Sequence, residues 1–202
     1  MENLEFNWKL QNSGFESTDK LFRTKAFLKT SDPEIKQVEE IFICSMREAF
    51  EYHYANSIEF KGHADLAGVR SKDIQTLHDV ENIPWIFVQN FKDAELLSIK
   101  KNKVHKIFTS SGTGGSKTQL FLDETSFNRL QVAAFEVYKG LGILNETEPC
   151  NYLLFTYDIE KVPNLGTAWT DTMISKMVLG SEVVYLIRQE GDGFRFDLEL
   201  AL

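Results

Sequence analysis

One short stretch limits this chain more than any other: residues 108–118, Phe-Thr-Ser-Ser-Gly-Thr-Gly-Gly-Ser-Lys-Thr. It packs three glycines, a run of hydroxyls and one lysine between two segments of different character. Before it, residues 104–108 alternate apolar with polar, as a half-buried strand does. After it, residues 119–122, Gln-Leu-Phe-Leu, are extended in character. The chain must therefore fold around a strand, a glycine-rich loop and a second strand. A flexible surface hairpin would meet that demand too, since glycine and serine together often mark only a linker.

The order of residues says more than their composition. Glycine lets backbone come close to a ligand and adopt positive φ, so successive amide N–H groups can converge on phosphate oxygens. Hydroxyls add donors and lysine adds charge, so the implied chemistry is polyphosphate binding. The candidate nucleotide-binding residues are Thr109, Ser110, Ser111, Gly112, Thr113, Gly114, Gly115, Ser116 and Lys117; no catalytic side chain and no metal ligand is assigned. A P-loop of the kinase and GTPase kind needs GxxxxGK[ST] running straight into a helix. Here Ser116 separates Gly115 from Lys117, and the residues that follow favour a strand. That reading requires a helix directly after Lys117.

Thr109 to Gly115 resembles the phosphate loop TSSGTTGxPK of adenylate-forming enzymes at every position except Gly114. Ile83-Pro84, Phe91-Lys92 and Leu122-Asp123 are similar to elements that flank this loop in the acyl-protein synthetases, the luciferin-component ligases of bacterial bioluminescence (LuxE type). The similar elements run from about Glu81 to Thr125, and the loop departs from the family by being contracted before Lys117.

The resemblance implies ATP and Mg2+ as cofactors and a fatty carboxylic acid as substrate. It also implies an acyl-adenylate product and transfer of the acyl group to a protein thiol, with an acyl-accepting protein as a possible partner. In that family the accepting cysteine lies near the C-terminus; neither Cys44 nor Cys150 takes that role here. A coenzyme A ligase of the phenylacetate type and a non-catalytic nucleotide- or partner-binding fragment stay open as alternatives.

The rest of the chain frames this loop. Asp32 and Pro33 open a helix expected to reach about Tyr54, with Ile35, Val38, Ile41, Phe42 and Met46 as its apolar stripe. That stripe is read as core packing in preference to an acyl tunnel. Ser71 is a candidate cap for a segment carrying Ile74 and Leu77, ended by Pro84. Residues 85–88, Trp-Ile-Phe-Val, suit a buried strand or a packed extended loop. A helix from Glu124 to Leu141 is capped near Asp123 or Thr125. Then come a strand from Asn151 to Phe155, a helix over about 167–179 and a strand from Val183 to Ile187.

This alternation predicts an α/β fold: the N-terminal portion of the large domain of an adenylate-forming enzyme, a sheet with crossover helices and the glycine-rich loop between strands. Residues 1–20 are expected to be a polar lead-in, mobile over 11–20. Residues 21–202 are expected to be the N-terminal part of an adenylation domain, truncated at its C-terminus.

A net charge of −8 excludes the basic surface that nucleic acid or an anionic membrane requires. Two isolated cysteines make a disulfide framework or a zinc site improbable. With no basic and apolar leader and no long apolar run, the expectation is a soluble, cytoplasmic protein without membrane insertion. His53, His63, His78 and His105 lack ligand spacing and read as surface or capping residues, His105 being the one worth testing for its position ahead of the loop. Asp158, Trp169 and Asp171 lie in or beside loops that follow expected strands, where α/β proteins gather ligands.

Overall fold

A computed structural model describes residues 7–24, 32–110, 116–144, 149–177, 182–190 and 193–201. Helix α1 spans Glu16–Arg23, α2 Asp32–Asn56 and α3 Ile58–Ala67, followed by the short α4 (Leu77–Val80) and α5 (Asn90–Asp93). Strands β1 (Lys106–Thr109) and β2 (Gln119–Leu122) form an antiparallel hairpin with Lys106 opposite Leu122 and Thr109 opposite Gln119. Helix α6 (Glu124–Gly140) follows at once. Strand β3 (Tyr152–Tyr157), helix α7 (Gly166–Ser175) and strand β4 (Val183–Glu190) make a parallel crossover unit, and β5 (Gly193–Phe196) adds antiparallel to β4 before α8 (Leu198–Ala201).

The expected alternation is present, but its strands divide into two small sheets, β1-β2 and β3-β4-β5. Among the described residues, an isolated parallel bridge from Thr109 to Leu165 ties β1 to the chain between β3 and α7. Among the described residues no helix is long and apolar enough to cross a membrane.

Two apolar clusters hold the fold. One joins Ile43 and Phe50 of α2 to Ala64 of α3 and to Ile74, with Val80 and Ile83 against it. The other gathers Phe108 of β1, Ile159, and Trp169 and Met173 of α7, with Phe127 and Phe135 of α6 packed on it. The hairpin that carries the glycine-rich loop is thus part of the core at its base.

Several local expectations need correction. The polar stretch near the N-terminus is docked on the body of the protein, and its polarity is the reason. Asp19 on α1 is 1% exposed, accepting from the Ser13 hydroxyl at 2.6 Å and from Arg129 of α6 at 3.0 Å. The Glu48 carboxylate on α2 receives the Ser17 and Thr18 N–H groups at the start of α1, where an anion offsets the unpaired helical donors.

The cap expected at Ser71 opens only a three-residue 3-10 turn, Ser71–Asp73. The helix start lies at Thr76, which shares a capping box with Asp79. Helix α3 is an addition to the expected elements: Ser57 caps it and Gly68, at φ +69°, ends it. Residues 85–88 form no strand: Trp85, Phe87 and Val88 are each more than 60% exposed. In the α2 stripe Ile41 is buried, whereas Ile35, Val38 and Phe42 line an open groove with Leu21 and Phe22.

Candidate functional site

The arms of the glycine-rich loop are fixed, one by the hairpin and one by the chain between β3 and α7. Ser110 N–H donates to the Thr118 carbonyl at 3.1 Å and Thr118 N–H donates to the Ser110 hydroxyl at 3.0 Å, so the loop is closed at its neck. Thr109 donates twice to the Asn164 carbonyl, by its N–H at 2.7 Å and its hydroxyl at 3.1 Å. That hydroxyl is therefore committed to anchoring the strand. Ser110, Ser116 and Lys117 are exposed, and the Ser110 hydroxyl, though it accepts from Thr118, keeps its own O–H to donate. Ser111, Gly112, Thr113, Gly114 and Gly115 lie outside the described residues.

Lys117 and Thr109 line a small cleft of about 210 Å3 together with Tyr157, Asn164, Leu165 and Phe194. Lys106, unnoticed in the sequence, donates to the Pro163 carbonyl at 2.9 Å beside this region, and burial pushes its ammonium below the usual lysine range. Lys117 thus brings a positive charge to the cleft where loop 158–165 meets the hairpin, and an ammonium is suited to an anion. Sequence spacing had no means of pairing residue 109 with residue 164.

Strand β2 begins at Gln119, two residues past Lys117, and helix α6 starts only at Glu124. The helix that a kinase-type P-loop would need directly after Lys117 is replaced by a strand, which removes that reading.

The other residues singled out in the sequence scatter. Asp158 accepts from the Glu160 N–H at 3.0 Å and shapes its own turn. Trp169 is fully buried against Phe108 and Phe127. Burial raises the Asp171 carboxyl, opposed by a hydrogen bond with Thr156. His78 pairs with Glu81 at the surface, His63 sits on α3, and His105 leans on Phe127 at the base of the hairpin, away from the loop.

His53 Nδ1 lies 2.7 Å from the Ser98 hydroxyl. Its ring is open on one side but crowded by protein on the other, and that desolvation lowers its pKa. Both residues border a cavity of about 490 Å3 enclosed by α1, α2, the segment 84–99 and β2. Among the described residues no three His, Cys, Asp or Glu side chains gather as a metal-binding group.

Residues 11–191 match the family model described as acyl-protein synthetase, LuxE. The chain belongs to the LuxE acyl-protein synthetase family. Over 85 residues it is 32% identical to the long-chain-fatty-acid–luciferin-component ligase of Vibrio harveyi, a stretch covering 42% of this chain and 21% of that protein. Over 115 residues it is 29% identical to the corresponding ligase of Aliivibrio fischeri, covering 57% of this chain and 28% of that one.

The match to these two relatives thus spans less than a third of their length. In fold, this LuxE-family chain superposes on 2-hydroxyisobutyryl-CoA ligase in complex with 2-HIB-AMP and CoA, with a TM-score of 0.60 at 12% identity, covering 93% of this chain and 38% of the ligase. An open conformation of that ligase gives a TM-score of 0.59 over 83% of this chain. At such identity the likeness establishes a shared fold alone.

Proposed function

We propose that this chain is the N-terminal part of a cytoplasmic acid-activating ligase. With ATP it converts a fatty carboxylic acid to an acyl-adenylate and hands the acyl group to a protein thiol. The observation that carries the proposal is the setting of a hydroxyl- and glycine-rich sequence joining antiparallel strands, with exposed Ser110, Ser116 and Lys117, in a LuxE-family chain.

In this reading the Lys117 ammonium and the Ser110 and Ser116 hydroxyls hold the β- and γ-phosphates. Thr109 keeps the strand in register through Asn164. Fixing the polyphosphate leaves the α-phosphorus open to in-line attack by the acid's carboxylate, so positioning and charge neutralisation supply the catalysis. Magnesium, carried on the phosphate oxygens, would offset charge on the leaving pyrophosphate.

The test is acid-dependent exchange of labelled pyrophosphate into ATP across a panel of fatty and aromatic acids, with Thr113→Ala and Lys117→Ala as controls. Exchange that requires a fatty acid and falls at least tenfold in the variants is expected. Absence of exchange with every acid, in folded protein that still binds ATP, would favour a non-catalytic nucleotide-binding module. Acyl transfer to coenzyme A in place of a protein thiol would favour the coenzyme A ligase.

A further inference from the structure

We propose that the cavity between α2, the segment 84–99 and β2 holds the hydrocarbon chain of the acid being activated; this rests on the adenylation reading above. The cavity, at about 490 Å3, is within the range of small-molecule sites. Its walls come from parts of the chain that sequence alone does not connect. Phe15 of the N-terminal segment and Ala49 of α2 form one side, Pro84, Ile86 and Phe91 a second, and Leu120 and Phe121 of β2 a third.

The geometry of the 84–87 run explains its composition. Exposure alternates residue by residue along this run, as on an extended chain. Pro84 and Ile86 are half-buried and line the cavity, while Trp85 and Phe87 are exposed and pack edge to face with each other. Pro84 and Phe91, one residue from each of the Ile83-Pro84 and Phe91-Lys92 elements, thereby acquire a job that the phosphate loop leaves unassigned: they build a cavity wall.

Strand β2 is the link to the chemistry. It leaves the loop at Lys117 and Thr118 and enters the cavity wall at Gln119. An acid whose tail fills the cavity has its carboxyl end at the Gln119 side, beside the loop that would hold the phosphates. The open apolar groove of Leu21, Ile35, Val38 and Phe42 is a separate surface with no such connection to β2.

The experiment is displacement of cis-parinaric acid, a fluorescent long-chain polyene acid, from the intact chain by saturated acids of increasing length. Each methylene that enters the cavity should tighten binding about fourfold, up to a limiting length. Ala49→Trp, which fills the space, should weaken binding at least tenfold and shorten the best-bound acid. Phe91→Ala, which enlarges it, should shift the preference to longer acids. Val38→Trp in the separate groove should change nothing.

A fluorescent ATP analogue, bound at the loop, should hold its affinity in every variant with native circular dichroism. A folded wild-type chain that binds no fatty acid, equal binding by folded Ala49→Trp and wild type, or loss confined to Val38→Trp would each overturn the proposal. Because nucleotide binding and pyrophosphate exchange are read separately, these outcomes leave the adenylation reading standing or falling on its own test.

Discussion

Arg129 Nη2 lies 3.0 Å from Asp19 Oδ1, an ion pair that fastens α6 to α1. The Asp19 side chain is 2% exposed and that of Arg129 16%, and the guanidinium also sits over the Phe15 ring at 5.3 Å. Removing one partner of such a pair strands the other charge in a poorly solvated site. Arg129→Leu should therefore cost about 3 kcal/mol in urea unfolding. The double change Arg129→Leu with Asp19→Leu should recover part of that loss, because neither charge remains to be desolvated.

The same carboxylate sets a pH dependence. Burial alone would raise the Asp19 pKa, but hydrogen bonds from the Ser13 hydroxyl and N–H and from Arg129, with the Arg129 charge, outweigh it and hold the group below its ordinary value. A depressed folded pKa means that the unfolded chain takes up the proton first as pH falls. The contribution is thus complete above about pH 5 and disappears as pH drops through the folded value, below the usual 3.8. Unfolding followed by circular dichroism should be less acid-sensitive in Asp19→Asn than in wild type over that acidic window, although the variant is less stable at neutral pH.

A third expectation concerns Asn128 on α6, which is 3% exposed. Its amide donates to the Asn7 and Lys9 carbonyls at 3.1 and 3.0 Å, and its oxygen accepts from the Gln11 N–H at 2.9 Å. One side chain thus satisfies three backbone groups of the N-terminal segment. Asn128→Ala leaves them unpaired and should destabilise the protein by about 2 kcal/mol. Amide exchange should rise chiefly at Gln11 and its neighbours.

These contacts explain why the N-terminal segment was illegible in the sequence while the middle of the chain was not. Helix α2 announced itself through Pro33 and apolar residues at helical spacing, and α6 through Asp123, whose carboxylate accepts the Ser126 N–H at 2.8 Å. Both bury apolar faces, so periodicity reports them. Helix α1 turns Asp19 and Thr18 inward, and a polar face that is satisfied by Arg129 and Glu48 looks like a solvated one until the partners are known.

Helix α3 leaves Ile58 and Leu66 almost fully exposed, which blurs its pattern even though Ser57 and Gly68 mark its ends. At the site, the residues on either side of Thr109 to Lys117 declared the strand-loop-strand form. The tie from Thr109 to Asn164 and the cavity joining Ala49, Ile86 and Phe121 bring together distant parts of the chain through tertiary packing alone.

Trp169 gives the prediction that links core to site. Its place after β3 suggests a ligand role, but it is 0% exposed, with ring centroids 5.1 Å from Phe108 of β1 and 4.8 Å from Phe127 of α6. Helix α7 thereby supports the hairpin from beneath while Asn164, just ahead of that helix, holds its upper end at Thr109. Trp169→Ala opens a cavity the surroundings fill only in part and should cost about 4 kcal/mol in urea unfolding, with Trp169→Phe losing less than half as much. The two supports separate under a second measurement, affinity for a fluorescent ATP analogue in conditions where each variant is folded. If the packed rings set the loop's position, affinity should fall at least fivefold in Trp169→Ala and stay near wild type in Trp169→Phe. Equal affinity in all three proteins would mean that the backbone tie between Thr109 and Asn164 holds the loop in place without help from the core.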